Sequence, residues 1–425
     1  MSRYRAVSSL AMAALIVAMP VRAALAKSGA DVASMSYGQS GCYGNCIAYD
    51  VTLFADGRVV FEANAEGTPE EIVGDEDIRD AVVLGRHEYR VPRATAQALL
   101  AKFKAADLFA MKDSYDSRIA DAQSYSIGFS IGGRSKSIRD NGGERAGMPP
   151  ILNQLMRETI VATKAEAMAR GAAGLVAQLE AGGYDFHSLD AGKTLVRAIA
   201  RQGSPSTISG LIGKGAPLQA KWNGKSISAW SIQAAVGFGD LTTLKLLSAR
   251  GEVARLSPDD RNDIAASVDP CSVAKAKALK ALGFNPVAAE RAGKAFVLQN
   301  ATGCSTRDGS DKVADLFRYY LSEGADPNVA IPSGETALFG VWDPEEADIL
   351  IHHGADLNHL DKEGDSAVFS ILNEDAILRV LDAGTRPVGE YYGSGFWNYA
   401  VSKKWTKVTA WLDAHPDMKK VAQGK

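Results

Sequence analysis

Seven times between residues 165 and 415 a Leu-rich stretch of helical periodicity runs into a glycine: Gly182, Gly215, Gly251, Gly283, Gly324, Gly354 and Gly384. The landmarks recur at a period near 33, the longest interval being Gly283 to Gly324. An eighth stretch around Trp411 and Leu412 ends one further period on, at His415, without the glycine. A second glycine opens the units, at Gly192, Gly224, Gly293, Gly334, Gly364 and Gly395. A hydroxyl often follows it, as in Gly192-Lys193-Thr194, Gly224-Lys225-Ser226, Gly334-Glu335-Thr336 and Gly364-Asp365-Ser366. The pattern predicts turn, short helix, loop and Leu-rich helix. The hydroxyl would cap the first helix, and the closing glycine would take the left-handed turn after the second. Units of this length cannot bury their apolar faces alone, so they must stack on one another. Such an array offers a long recognition surface and usually no catalytic cleft.

Residues 36–160 have a different rhythm. Tyr49, Val51 and Leu53 alternate with Asp50, Thr52 and Phe54, and Asp56-Gly57 turns the chain into Arg58–Glu62, which together predict a hairpin. A strand is expected over His87–Val91, then a helix over Ala94–Ala106 with Leu99, Leu100 and Phe103 on one face. A second hairpin, Ser124–Ile131 and Ser135–Arg139, turns at Gly132-Gly133, and one long helix, Pro150–Arg170, leads into the array. The fold class expected is an α+β domain, an antiparallel sheet covered by helices, followed by an all-α helical solenoid of about eight units over 165–415.

Two resemblances bear on these segments. Asp361-Lys362-Glu363-Gly364-Asp365-Ser366-Ala367-Val368-Phe369 resembles the D-x-x-G-x-T-P-L-H opening of ankyrin repeats. Leu350–Asn358 and Leu321–Asn328 resemble the L-L-x-x-G-A-D-x-N close of the same family. The departures are Ala337 and Ala367 for Pro, and Phe339 and Phe369 for His. The match is strong over 315–390 and holds only in outline before about residue 290. It implies a curved solenoid that binds macromolecules through its turn tips and inner helices. The opening Cys42-Tyr43-Gly44-Asn45-Cys46-Ile47-Ala48-Tyr49, with Asp56-Gly57 after it, resembles a family of bacterial exported domains of unknown function that begins C-Y-G-x-C-P-x-Y. Ile47 stands where that family has Pro. This second resemblance implies a fold and an envelope address, and no activity.

The start of the chain changes the expected compartment. Arg3 and Arg5 precede an apolar run from Leu10 to Met19, then Pro20 and the small residues Ala24-Leu25-Ala26. That run is too short to span a bilayer, so residues 1–26 are expected to be a signal peptide cleaved near Ala26, giving a periplasmic protein. Cleavage removes three Arg and no acids, which leaves 44 basic against 50 acidic residues and a net charge of −6. That balance argues against nucleic acid and a polybasic membrane role, and no later apolar run suits stable membrane insertion. The chain left after cleavage exceeds one ordinary core. In an oxidising compartment the four cysteines are expected to form disulfides, Cys42 with Cys46 and Cys271 with Cys304. The long interval from Gly283 to Gly324 carries an insertion at Cys304–Asp311, between the helices of one unit. Adjacent helices stand about 10 Å apart, too far for a disulfide between fixed positions; the extra loop can lean back and close that distance, and the bridge is expected to pin the insertion.

The catalytic signatures within reach are incomplete. Cys42 and Cys46 have three intervening residues ahead of a strand, where thioredoxin-type chemistry uses two at a helix start. Zinc would need two further ligands. Gly192-Lys193-Thr194 and Gly224-Lys225-Ser226 lack the earlier glycine of a phosphate loop, since His187 and Gln219 stand there. His352, His353 and His359 have no acid or Cys at a ligand spacing. Ser272-Val273-Ala274-Lys275 has the S-x-x-K form without its companion motifs. The function expected is a non-enzymatic exported scaffold that binds a protein, with no cofactor and no metal. Trp222, Tyr391 and Tyr392, on turn tips, are the candidate partner-binding residues. The alternative is an envelope enzyme or thiol oxidoreductase in the N-terminal domain, with the repeats as its docking arm.

Overall fold

The computed structural model describes residues 32–41, 46–64, 67–74, 80–117, 123–306, 310–390 and 393–424. Residues 1–26, read from the sequence as a signal peptide, and Cys42, Tyr391 and Tyr392 lie outside the described residues. The chain forms two compact units: the first ends at Ala254 and the second is Arg255–Lys425. The fold class is α+β followed by an all-α solenoid.

The first unit opens with β1 (Ser34–Gln39), β2 (Tyr49–Phe54), β3 (Arg58–Ala63), α1 (Pro69–Gly74), β4 (Gly85–Arg90), α2 (Arg93–Ala105), β5 (Ser114–Tyr115), β6 (Tyr125–Ile131), β7 (Arg134–Asp140) and α3 (Pro150–Thr163). The sheet order is β4-β3-β2-β1-β6-β7-β5, antiparallel except where the short β5 lies parallel to β7. Both hairpins form at the glycine turns read from the sequence. The central strand β1 was not foreseen: Met35 and Tyr37 face the core, but Ser34, Ser36 and Gly38 between them give no strand signal. In register, Tyr37 stands between Val51 and Ile127. The apolar sheet face is covered by α2 and α3, and Phe103 meets Phe129 at 5.6 Å between ring centroids.

The expected long helix over Pro150–Arg170 is two helices. α3 stops at Thr163, Lys164 takes φ +55°, and α4 (Ala165–Arg170) begins anew. The break has a partner: Tyr89 donates its hydroxyl to the Thr163 carbonyl at 2.7 Å, drawing that group out of the helical ladder. Helix pairs follow. α5 (Leu175–Ala181) completes the first, then come α6 (Leu189–Ala200) with α7 (Pro205–Gly213), and α8 (Ile227–Gly237) with α9 (Leu241–Ala249). A tip hairpin, β8 (Lys221–Trp222) and β9 (Lys225–Ser226), precedes α8.

The second unit holds α10 (Pro258–Ala266), α11 (Val273–Ala281), α12 (Pro286–Arg291), α13 (Val297–Thr302), α14 (Val313–Ser322), α15 (Pro344–His352), α16 (Glu374–Asp382), α17 (Phe396–Ser402), α18 (Thr406–Ala414) and α19 (Pro416–Ala422). Hydrogen bonds step from each repeat to the next. Asn328 donates to the Gly354 carbonyl at 3.0 Å and accepts from the Asp356 N–H at 2.6 Å, and Asn358 accepts from the Arg386 N–H at 3.1 Å, 28 residues on. Arg379 reaches Asp348 at 2.6 Å and Lys407 reaches Asp375 at 2.7 Å. The first unit has its own steps, Thr207 onto the Ala172 carbonyl at 2.9 Å and Gln219 onto Glu252 at 2.7 Å. Contacts one repeat apart are what stacked units require.

The glycine landmarks divide by role. The closing glycines from Gly215 to Gly384 all have positive φ, but in the first pair Gly183 takes that conformation (φ +73°) and Gly182 does not. The opening glycines are less uniform than expected. Gly192 lies inside α6, whose cap is Ser188, and it is there because α6 and α8 approach closely: a Cβ would stand 2.8 Å from Ile227 Cγ1. Ser226 does cap α8 as expected. Thr336 and Ser366 precede only 3₁₀ turns, Ala337–Gly340 and Ala367–Phe369, without a side-chain cap bond. The cause is length. The chain from Gly334 to Gly354, like that from Gly364 to Gly384, is about two helical turns shorter than the chain from Gly224 to Gly251. The first helix shrinks to absorb the difference.

Cys271 and Cys304 are disulfide-bonded, with Cα atoms 5.2 Å apart. The insertion does lean back: the Asp311 N–H donates to the Cys271 carbonyl at 2.9 Å, and Asp311 Oδ2 accepts from the Val273 N–H at 2.7 Å. Two carboxylates lie under the second unit's loops, Glu290 and Glu346, 5% and 4% exposed. Burial pushes both carboxyls above their ordinary value of 4.5, against the pull of backbone N–H donors. A raised value favours the protonated form in the fold. Their stabilising share is therefore complete below the ordinary value and lost as pH rises through the raised one. Urea unfolding of the full chain should show Glu290→Gln with Glu346→Gln flattening the pH dependence between about 7 and the ordinary carboxylate range near 4. An unchanged slope would show that neither group titrates as the fold demands.

Candidate functional site

Two surfaces of the array differ in what covers them. In the first unit, the sequence of α8, Ile-Ser-Ala-Trp-Ser-Ile-Gln-Ala-Ala-Val, has no charged stripe, and its residues from Ile227 to Ile232 and from Ala234 to Val236 are all buried. The cover comes from the α+β domain itself. α1 packs on α6 and α8, burying Pro69, Ile72 and Val73. Beyond it, Asp80–Leu84 is buried too, with the Val82 N–H donating to Ala169 O at 2.9 Å and the Val83 N–H to Met168 O at 3.1 Å. Arg197, 2% exposed, donates Nε to the Val82 carbonyl at 2.9 Å and a terminal nitrogen to Thr194 at 3.3 Å. Arg201 donates to the Asp80 carbonyl; burial, then Arg170, lowers its pKa to about 10, so it stays charged at neutral pH. At the tip, Asn223 holds both oxygens of Glu70, at 2.8 and 3.0 Å. The inner helices of the first repeats thus already hold a ligand, a segment of the same chain.

Trp222 sits on that tip hairpin, half-buried. Its carbonyl accepts from Trp230 Nε1 at 2.8 Å, and Lys193 Nζ lies 5.3 Å from its ring centroid. The structure brings it beside the clasp on Glu70, and Tyr391 and Tyr392 fall outside the described residues.

The second unit presents a surface that sequence reasoning missed. Trp342, Leu372 and Val401 are 58%, 53% and 52% exposed. The first two occupy one register: Trp342 stands as far before the closing glycine Gly354 as Leu372 stands before Gly384. Counted back in the same way from Gly183, Gly215 and Gly251, that register holds Gly171, Gly203 and Gly239. The same count from Gly283 and Gly324 reaches Cys271 and Lys312, so the repeat sets no fixed side chain there. A Trp and a Leu turned to solvent at that position serve no packing need. Each stands at the start of an outer helix, followed by a capping residue: Asp343 forms a capping box on α15 with Glu346, whose Oε2 also accepts the Trp342 N–H at 2.6 Å, and Asn373 caps α16. α15 packs on α16, so Trp342 and Leu372 belong to neighbouring repeats, and Val401 lies further on, in α17. The signal for this row lay in the register, where a glycine gives way to a large apolar residue.

The other candidates have local roles. Cys46 is disulfide-bonded. His352 and His353 face carbonyls of their own helix, Asp348 O at 2.9 Å and Ile349 O at 2.8 Å, and His359 bonds the Gly334 carbonyl at 2.7 Å. Ser272 caps α11. Among the described residues no group of three or more His, Cys, Asp or Glu side chains could hold a metal ion, and no helix is long and apolar enough to cross a membrane.

Residues 33–161 match the family described as Domain of unknown function (DUF6438). Among solved structures the chain is similar to the ankyrin repeat domain of Bcl-3, a unique member of the IkappaB protein family, at 16% identity and a TM-score of 0.30, over 56% of this chain and 99% of that one. It is also similar to the human ASB11 ankyrin repeat domain, at 15% identity and a TM-score of 0.31, over 54% and 95%. No curated protein matches the chain.

Proposed function

We propose that this chain is a non-enzymatic, exported scaffold that holds a protein partner in the bacterial envelope, and that it does so on the C-terminal repeats. The observation that carries the reading is the exposed pair Trp342 and Leu372 at one register of neighbouring repeats, set against inner helices of the first repeats that are already filled by the chain's own α1 and Asp80–Leu84. Export is supported by the basic and apolar start of the chain and by a disulfide at Cys271–Cys304, which persists in oxidising compartments. Trp342→Ser with Leu372→Ser removes the two anchors in a register where glycine is tolerated, so the fold should be unaffected. Truncating a large apolar anchor costs on the order of 1–2 kcal/mol of binding, roughly tenfold per residue. Capture of envelope protein by the full chain should fall accordingly, with Trp222→Ala and Tyr391→Ala/Tyr392→Ala as the comparison set for the tips. Undiminished capture by the double Ser variant would overturn the assignment.

A further inference from the structure

The connection between β3 and β4 does little for its own sheet. The two strands pair as far as the rung Ala63–Gly85, so the chain leaves the sheet and returns to it at one place, and a tight turn would suffice to join them. Instead it runs out to α1, which packs chiefly on α6 and α8 of the repeats. α1 is amphipathic: Pro69, Ile72 and Val73 are buried, at the i, i+3 and i+4 spacing of one helix face, and Glu70 and Glu71 are exposed. Six residues are too few to hold a helix in water, so α1 is helical because the repeats bind it. Its charge matches theirs. Residues 66–80 hold seven acidic side chains against Arg79 alone, and residues 193–254 hold eight basic ones against Asp240 and Glu252. At the tip where Asn223 takes both oxygens of Glu70, Lys193 and Lys225 lie over the rings of Trp222 and Trp230.

The hold along this connection is uneven. Asp80–Leu84 is fixed by backbone bonds to α4 and by Arg197 and Arg201 on its carbonyls. α1 is held by three apolar side chains, by the exposed contact of Glu70 with Asn223, and by the Gly67 N–H on Asp80 Oδ2 at 2.6 Å. We propose that α1 is a resident stand-in for a segment of another protein. The inner face of α6 and α8, with Asn223 at its end, takes a short acidic helix of the Pro-Glu-Glu-Ile-Val kind, which displaces α1 while Asp80–Leu84 stays in place. Apolar anchors at helical spacing fill the groove, and the acidic outer face selects against basic segments, which the lysines of the repeats would repel. A tethered helix competes at an effective concentration on the order of millimolar, so the site is closed to weak ligands and opens to a good one. This site is separate from the pair Trp342 and Leu372 and does not depend on it.

The test uses the full-length exported chain and a fluorescent synthetic peptide with the sequence of residues 66–80. The unaltered chain should bind the peptide weakly, because its own α1 competes. Ile72→Ser with Val73→Ser in the chain opens the site and should tighten peptide binding by roughly a hundredfold, about tenfold for each anchor lost from α1. Glu70→Lys in the peptide should weaken binding by about tenfold. Asn223→Asp in the chain should restore it, and Asp suits that position because Asn223 has φ +47°, which Asp also tolerates. The opened chain should capture an envelope protein that the peptide competes off. Trp342→Ser with Leu372→Ser should leave peptide binding unchanged, so the two surfaces stand or fall separately. Circular dichroism confirms that each variant is folded. Hydrogen exchange on the unaltered chain gives a check free of any variant: the Ile72 amide, bonded to the Thr68 carbonyl, should open more readily than the Val82 and Val83 amides. Exchange of all three in one step overturns the proposal. So does a folded, opened chain that ignores the peptide or binds the Glu70→Lys peptide equally well, and so does peptide binding with no competed capture.

Discussion

Replacing Arg197 by alanine is expected to destabilise the unit ending at Ala254 by about 2–4 kcal/mol, the cost of an orphaned buried carbonyl and an unfilled space. The side chain is 2% exposed and forks between the Val82 carbonyl and Thr194, with Asp190 at 3.6 Å. It ties α6 to the segment that fills the inner face of the first repeats. Arg197→Lys should recover only part of the loss, because an ammonium lacks the planar fork that reaches two acceptors in fixed directions. Equilibrium urea unfolding gives the energy, and hydrogen exchange at the Val82 and Val83 amides gives the location. Both amides should exchange faster in the alanine variant, since their acceptors Ala169 O and Met168 O belong to the same clasp. A loss below about 1 kcal/mol, the scale of an ordinary exposed hydrogen bond, would show that α1 and Asp80–Leu84 sit on the repeats without being held by them.

The second large effect is expected from Cys271→Ser with Cys304→Ser. The bridge closes 33 residues, and chain entropy for a loop of that size gives about 3–4 kcal/mol of stabilisation. The two sulfurs are buried, so the serines would also place hydroxyls in apolar surroundings. The loss should appear in the unfolding of residues 255–425, with the Asp311 amide exposed to exchange as the insertion lifts from Cys271. Unfolding of the sheet domain, followed through its own amides, should shift far less. An equal loss in both would contradict the division into two compact units.

Much of the fold was legible because its signals are local. Asp56-Gly57 and Gly132-Gly133 sit where they must for tight hairpins, and the closing glycines mark helix ends wherever a left-handed residue is needed. What escaped depends on contacts between distant residues. β1 is a strand because β2 and β6 pair with both its edges, and nothing in Ser-Met-Ser-Tyr-Gly-Gln states this. α3 ends at Thr163 because Tyr89, 74 residues earlier, takes the carbonyl. Gly192 looked like a turn and is a contact between helices. The candidate surface escaped for a related reason. Periodicity identifies apolar residues but cannot say whether a neighbour covers them, and Trp342 and Leu372 read like any core residue until their register is compared with Gly203 and Gly239. The apolar wrap of α8 was the converse case, a helix without a polar face that pointed to a cover which the sequence did not name.

The most direct test of the binding surface is site-specific photocrosslinking in living cells. A photoreactive residue at position 372 of the full-length exported chain, with one at the exposed Lys245 of α9 as reference, asks whether the row is covered in the envelope. Covalent protein adducts through position 372, absent through position 245, are expected. No adduct at 372 above the level at 245 would mean that the row faces water in the cell, and the scaffold account would be wrong.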